Sequence, residues 1–382
     1  MLVICGSRGG LGIRSLVLAL ALSTGAPGTA VAGTFSVLTY NVAGLPLGLS
    51  GSSPEVNNAQ ISPRLDAFDL VAVQEDFGFH EDLTAEIDHP YRSVKDTTDV
   101  QATLDLAAQF GLEAPQLGDG LNTFSFHPFH DFTRVTWNEC FGLLDNGSDC
   151  LAPKGFSFAR HEVEPGVFVD VYNLHADAGG AEGSLAARRS NLRQIADFLL
   201  ATSEGRAVIV LGDTNSRYTR AGDILPEFVA TTGVADVWLE LTRGGVVPEP
   251  GLPLEEGCAV DFADANCERV DKIFYRSGSD VELTVLSHAV PADWVDSEGV
   301  QLSDHEPVSA VFSVRVVPEP ATLSLLAAGV AVLAGGSRRA RRRRAREDAA
   351  VPVGSSPAVF RHASSRVGAQ TRSQRVRRRM SR

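Results

Sequence analysis

Val208-Ile209-Val210-Leu211 is an apolar run, three of its four residues β-branched, that reads as a short buried strand broken by Gly212. Asp213 and Asn215 follow, a carboxylate and a carboxamide two residues apart at a strand end. Open α/β sheets bind ligands at the carboxyl ends of their strands, and this pair suits a hard cation and a phosphate oxygen. A strand that merely ends in an Asx turn is the plainer reading of the same octapeptide. Other runs repeat the design. Residues 35–41 end on Asn41, 69–75 on Glu75 and 168–175 on His175, a strand over 269–275 carries Asp271, and Asp304-His305 precede a closing apolar run. Together these groups offer oxygen ligands for Mg, Ca or Mn, an imidazole base, and a carboxylate to orient it. That equipment fits metal-assisted attack of water on phosphorus.

Such groups need rigid supports, and the chain supplies them as alternating strand and helix patterns. Residues 35–41, 69–75, 168–175, 208–211, 269–275 and 308–314 read as strands. Residues 55–68 are loosely helical, 223–232 are helix-like, and 183–203 place Leu185, Leu192, Ile195, Phe198 and Leu199 at helical spacing. Residues 95–122 mix Asp, Gly and Pro and predict an inserted surface segment with a short helix over 104–110. There is no internal repeat.

Both ends stand apart from this core. Residues 1–32 carry Arg8 and Arg14, an apolar run over 16–22 and Ala30-Val31-Ala32, the pattern of a secretory signal peptide and hence of export. At the other end Val317-Pro318-Glu319-Pro320 precedes an apolar run over 321–334 and an arginine cluster to Arg346. This resembles the PEP-CTERM sorting signal, which implies delivery to the cell envelope and an exosortase-type processing partner. Residues 347–382 are polar, Arg-rich and aperiodic, and read as a disordered basic tail. The expected catalytic domain is 33–316, followed by a sorting segment over 317–346. Without the ends, 17 Lys and Arg face 44 Asp and Glu, a formal net charge of −27. Such a body repels polyanions, whereas duplex DNA binding rests on many cationic phosphate contacts. Four cysteines remain, an even number in an exported chain, and predict two disulfides. Of three connectivities, Cys140–Cys150 with Cys258–Cys267 is favoured because each closes a short polar loop; the spacing fits no common zinc pattern.

Tyr40-Asn41, Gln74-Glu75, Asn173-Leu174-His175, Gly212-Asp213-Thr214-Asn215, Arg269-Val270-Asp271 and Ser303-Asp304-His305 occur in that order. In this they resemble the endonuclease/exonuclease/phosphatase family, across roughly 35–314. The resemblance implies an α/β (α+β) fold, a four-layer α/β sandwich of two packed mixed β-sheets flanked by helices, and a metal-dependent phosphoric ester hydrolase. Carried over, Glu75 is the principal metal ligand with Asn41 and Asp304 beside it. His305 is the general base and Asp271 fixes its tautomer. Asp213 and Asn215 orient water and bind the phosphate, and His175 stabilises or protonates.

Lys154-Gly155-Phe156, after Asp149, resembles a neutral sphingomyelinase segment whose lysine lies near the phosphate, although Lys-Gly is also a common turn. His175-Ala-Asp177 and the acidity point the same way. The leading expectation is therefore a phosphodiesterase acting on a lipid head group or small phosphoester, with Lys154 and Asn215 on the substrate and Mg, or else Ca or Mn, as cofactor. A monomer is expected. An extracellular nuclease of the same fold is the alternative, disfavoured by acidity, and an inactive envelope binding protein is the alternative from another class. Phe124, Phe126, Phe129 and Trp137 are candidates for dipping into lipid, or for core.

Overall fold

The computed structural model describes residues 32–45, 53–251 and 264–317. The chain divides into two units, 1–319 and 320–382, and the described residues lie in the first. Twelve strands occur among them: β1 (Ala32–Asn41), β2 (Leu70–Gln74), β3 (Tyr91–Arg92), β4 (Asn122–Ser125), β5 (Phe129–Thr136), β6 (Gly155–Glu164), β7 (Val167–His175), β8 (Val208–Asp213), β9 (Ala235–Asp236), β10 (Asp271–Arg276), β11 (Val281–Ala289) and β12 (Val308–Val316). They form two six-stranded sheets, ordered β11-β12-β1-β2-β4-β3 and β5-β6-β7-β8-β10-β9. Both sheets are mixed. The pairs β1/β2 and β7/β8 are parallel and the others antiparallel. Parallel neighbours need a crossover, and helices Pro54–Ile61 and Glu182–Thr202 lie in the two connections.

The layering follows from side chains alternating across each strand. Val37, Ala72, Val171, Ile209, Leu211, Ile273 and Phe312 point inward and make one core between the sheets. On the outer face of the second sheet, Tyr172, Leu174, Val210 and Phe274 pack with Leu192, Ile195 and Leu199 of helix Glu182–Thr202 and Phe228 of helix Leu225–Thr232. On the outer face of the first, Leu38, Tyr40, Val71 and Val73 pack with Ile61, Leu65 and Trp294. The expected sandwich of two mixed sheets with helices outside is what forms.

Several expectations need amendment. The short helix of the inserted segment runs Gln101–Gln109. β4, β5 and β11 were not foreseen as strands; β11 alternates Val281, Leu283, Val285 and then breaks at a bulge before Ser287. Phe124 and Trp137 are core residues and cannot dip into lipid, whereas Phe126 is 38% exposed. The Cys140–Cys150 disulfide is present. Cys258 lies outside the described residues, as do the signal peptide to residue 31, the apolar run of the sorting segment and the basic tail. No helix among the described residues is long and apolar enough to cross a membrane.

Candidate active site

The two-residue period that builds the inner core also aims the polar groups. Asn41, Gln74, Asn173, His175, Asp213 and Asp271 share strand parity with Val37, Ala72, Val171, Leu211 and Ile273, so all face the gap between the sheets. Register then lines them up. Asn41 lies opposite Gln74, and Asp213 lies between His175 on one side and Asp271 on the other. β10 runs antiparallel, which brings its first residue to the rim where β7 and β8 end. The break after Leu211 is steric: Gly212 has φ +142, and a Cβ there would sit 2.1 Å from the Leu174 carbonyl oxygen.

Glu75 lies one residue beyond β2, where simple alternation would send its side chain outward. Its φ of +56 places it in the left-handed region instead, at a cost of about 1–3 kcal/mol for a non-glycine residue. The result is that Asn41 Nδ2 donates to Glu75 Oε1 at 3.0 Å and approaches Asp213 Oδ2 at 3.3 Å. Asn215, also left-handed at φ +49, donates its backbone N–H to Asp213 Oδ1 (2.8 Å) and its Nδ2 to Asp213 Oδ2 (3.1 Å) and to the Ala176 carbonyl (3.0 Å). The Asx turn and the functional pair are thus one structure.

His305 is pinned through Ser303, whose hydroxyl donates to the Asn41 carbonyl and accepts from the His305 N–H. Its Nδ1 donates to Asp271 Oδ2 at 2.8 Å, and its Nε2 lies 3.8 Å from Asp213 Oδ2. Burial disfavours the imidazolium, but Asp271 and Asp213 outweigh it and hold His305 well above the ordinary histidine value. Burial, opposed by His305 and reinforced by Asp271, pushes the Asp213 carboxyl up to about 6. His175 Nε2 is 3.4 Å from Asp213 Oδ2 and 3.7 Å from Glu75 Oε1. Burial, then Lys154 and His305, hold it well below the ordinary value and so neutral. Lys154 Nζ donates to Asp149 Oδ1 at 2.5 Å and to His175 Nε2 at 3.0 Å. Burial works against its charge, and Asp149 and Glu75 more than restore it.

The chain is 35% identical over 289 residues to sphingomyelinases of Mycobacterium tuberculosis and Mycobacterium bovis, covering 75% of itself and 54% of each. It spans about half the length of those relatives. Among solved structures it resembles an endonuclease/exonuclease/phosphatase from Beutenbergia cavernae, with TM-score 0.49 and 18% identity over 74% of this chain and 72% of that one. It also resembles a beta toxin mutant from Staphylococcus aureus that holds magnesium ions, with TM-score 0.48 and 17% identity over 73% and 99%. In addition, residues 316–344 match the PEP-CTERM protein-sorting motif.

The nine expected site residues are brought together unevenly. Asn41, Glu75, Lys154, His175, Asp213, Asn215, Asp271 and His305 form one connected cluster. Asp304 is exposed and stands outside that cluster, with the Ser303 hydroxyl 3.5 Å from its Oδ1. Asn41 turns its nitrogen to the carboxylates, while its oxygen accepts from the Ala43 N–H at 3.0 Å. Asp213, Asp271 and His305 have ligand-type atoms within 4.8 Å of one another. Hard carboxylate oxygens predominate at this rim, and Asp271 Oδ1 is buried there without a hydrogen-bond partner. The donor set therefore fits a divalent cation such as magnesium. Sequence reasoning gave Asp149 no role, although its place five residues before Lys154 and beside Cys150 was visible. It is buried, and its other oxygen accepts from the Ala178 N–H at 3.0 Å.

Proposed function

We propose that the chain is an exported, divalent-metal-dependent phosphodiesterase that hydrolyses the phosphodiester of a lipid head group, as the name of its sphingomyelinase relatives says of them. The observation that carries this reading is the His305–Asp271 pair facing Asp213 on the same rim as Glu75. Asp271 holds the Nδ1 proton, so that His305 Nε2, once it has given up its own proton, is the acceptor for a proton from the attacking water. Asp213, steadied by Asn215, orients that water. Lys154 faces the phosphate from the other side and stabilises its added negative charge through directed N–H donors, with neutral His175 accepting from its Nζ and so aiming it. Glu75, Asn41 and Asp304 would hold the metal, Asn41 after turning its carboxamide. When bound, a divalent ion neutralises charge developing on the phosphoryl oxygens. The acidic body favours a zwitterionic head group over a polyanion. The sorting motif supports delivery to the envelope through an exosortase system.

The test is hydrolysis of sphingomyelin, a phosphatidyl lipid, bis-p-nitrophenyl phosphate and plasmid DNA by the purified protein, each with magnesium and with chelator, and with His305→Ala as the blank. Lipid cleavage that needs both metal and His305 is expected. Plasmid cleavage without lipid cleavage would replace this reading with the nuclease one.

A further inference from the structure

The catalytic cluster is split between the two sheets. Asn41 and Glu75 come from the end of β1 and from just beyond β2, while His175, Asp213 and Asp271 come from β7, β8 and β10. No strand pairing joins the two halves, so their spacing depends on how one sheet lies on the other. Most of that interface is Val, Ile, Leu, Ala and Phe, whose attraction is non-directional and tolerates small slides.

Directional contacts also cross between the sheets: Asn41 to Asp213 within the cluster, Arg134 Nη2 to Asn122 Oδ1 at 3.0 Å, and a buried carboxamide pair at the rim. Gln74 Nε2 donates to Asn173 Oδ1 at 2.7 Å, crossing from the first sheet to the second. Asn173 Nδ2 answers by donating to the carbonyls of Val73 (3.0 Å) and Asn122 (3.2 Å), on adjacent strands of the first sheet. Gln74 Oε1 accepts from the Thr39 hydroxyl at 3.2 Å. Thr39, Gln74, Asn122 and Asn173 are all at most 1% exposed. Burying carboxamides among aliphatic side chains is unfavourable unless their hydrogen bonds are made, and here they are. Gln74 directly precedes Glu75, and Asn173 stands two residues before His175. Neither is within reach of a substrate in the cluster described above.

We propose that Gln74 and Asn173 are positioning residues: a buried carboxamide clamp that fixes the sheet-to-sheet register and so sets Glu75 and Asn41 against Asp213 and His175. The inference rests on the reading of this rim as a metal-dependent hydrolytic site. Buried polar networks can fix one arrangement where apolar packing permits several, and partners behind metal ligands typically alter affinity or activity 10–100-fold.

The test uses the full chain with Gln74→Met and Asn173→Leu, singly and together, since these keep apolar volume while removing the direction of the contact. Magnesium affinity by calorimetry and steady-state hydrolysis are measured on each. The double variant is expected to fold, to bind magnesium about 10-fold more weakly and to lose about 10–100-fold in kcat with a smaller change in KM. The exchanged pair Gln74→Asn/Asn173→Gln, which conserves the total chain length of the clamp, is expected to recover part of both. A folded double variant with unchanged magnesium affinity and kcat, differing only in melting temperature, would overturn the clamp. If wild type binds magnesium but cleaves no phosphodiester, the functional reading fails, and the affinity comparison still decides whether the clamp positions the metal ligands.

Discussion

His305 depends on two carboxylates carried by a sheet to which its own loop is not paired. Asp271→Asn should keep the ring in place but remove the acceptor that fixes its tautomer, lowering kcat about 10²–10⁴-fold in steady-state assays with little change in KM. The same substitution should return the His305 titration from well above the ordinary histidine value toward it, read by NMR on metal-free protein, because Asp271 is the largest influence raising it. An unmoved titration would mean that Asp213 alone sets the charge. At this scale the sequence was informative. Asp213, His305 and Asp271 were legible from residue type at strand ends and from the ordered motifs. Two things were not: the left-handed φ of Glu75, which alternation cannot anticipate, and Asp149, whose importance comes from the fold bringing Lys154 to His175. The exposed position of Asp304 likewise follows from the loop between Trp294 and Val308.

At the level of elements, the site is what remains when parallel and antiparallel strands of two sheets end at one rim. Gly212 allows β7 and β8 to close there. Gly212→Ala should push the Leu174 carbonyl away and lower stability by more than about 2 kcal/mol, measured by chemical denaturation, with activity lost in step. A second consequence concerns His161, on β6 and wholly buried. Burial, with His127 and His130 adding to it, lowers its pKa to about 3. The unfolded chain binds a proton near 6.5 that the folded chain refuses. Stability from this group is therefore present above about 6.5 and is lost as pH falls from there toward 3, on the order of a few kcal/mol in all. His161→Gln should flatten the acid limb of the stability curve; an unchanged limb would show that other groups dominate it. The long elements were readable because their periodicity is strong, as in helix Glu182–Thr202 and β8. β5 was not, since as an edge strand it carries Phe, His, Asp and Arg without clean alternation. β4 has only four residues, too few to show a period.

For the molecule as a whole, charge and address matter more than any single contact. Residues 33–316 are strongly acidic, so hydrolysis of plasmid DNA should be far slower than that of a zwitterionic lipid and should improve as added salt screens the repulsion up to moderate ionic strength. The PEP-CTERM match at 316–344 begins where β12 ends, so the sorting motif and the unit that carries the candidate site occupy adjoining stretches of the chain. The measurement closest to the central claim is release of phosphocholine from sphingomyelin vesicles by wild type and His305→Ala, each in magnesium and in chelator. Release by wild type in magnesium alone, reduced at least about 10²-fold by either change, is the predicted result. Release that persists in chelator or in His305→Ala would place the chemistry elsewhere than at the rim between the two sheets.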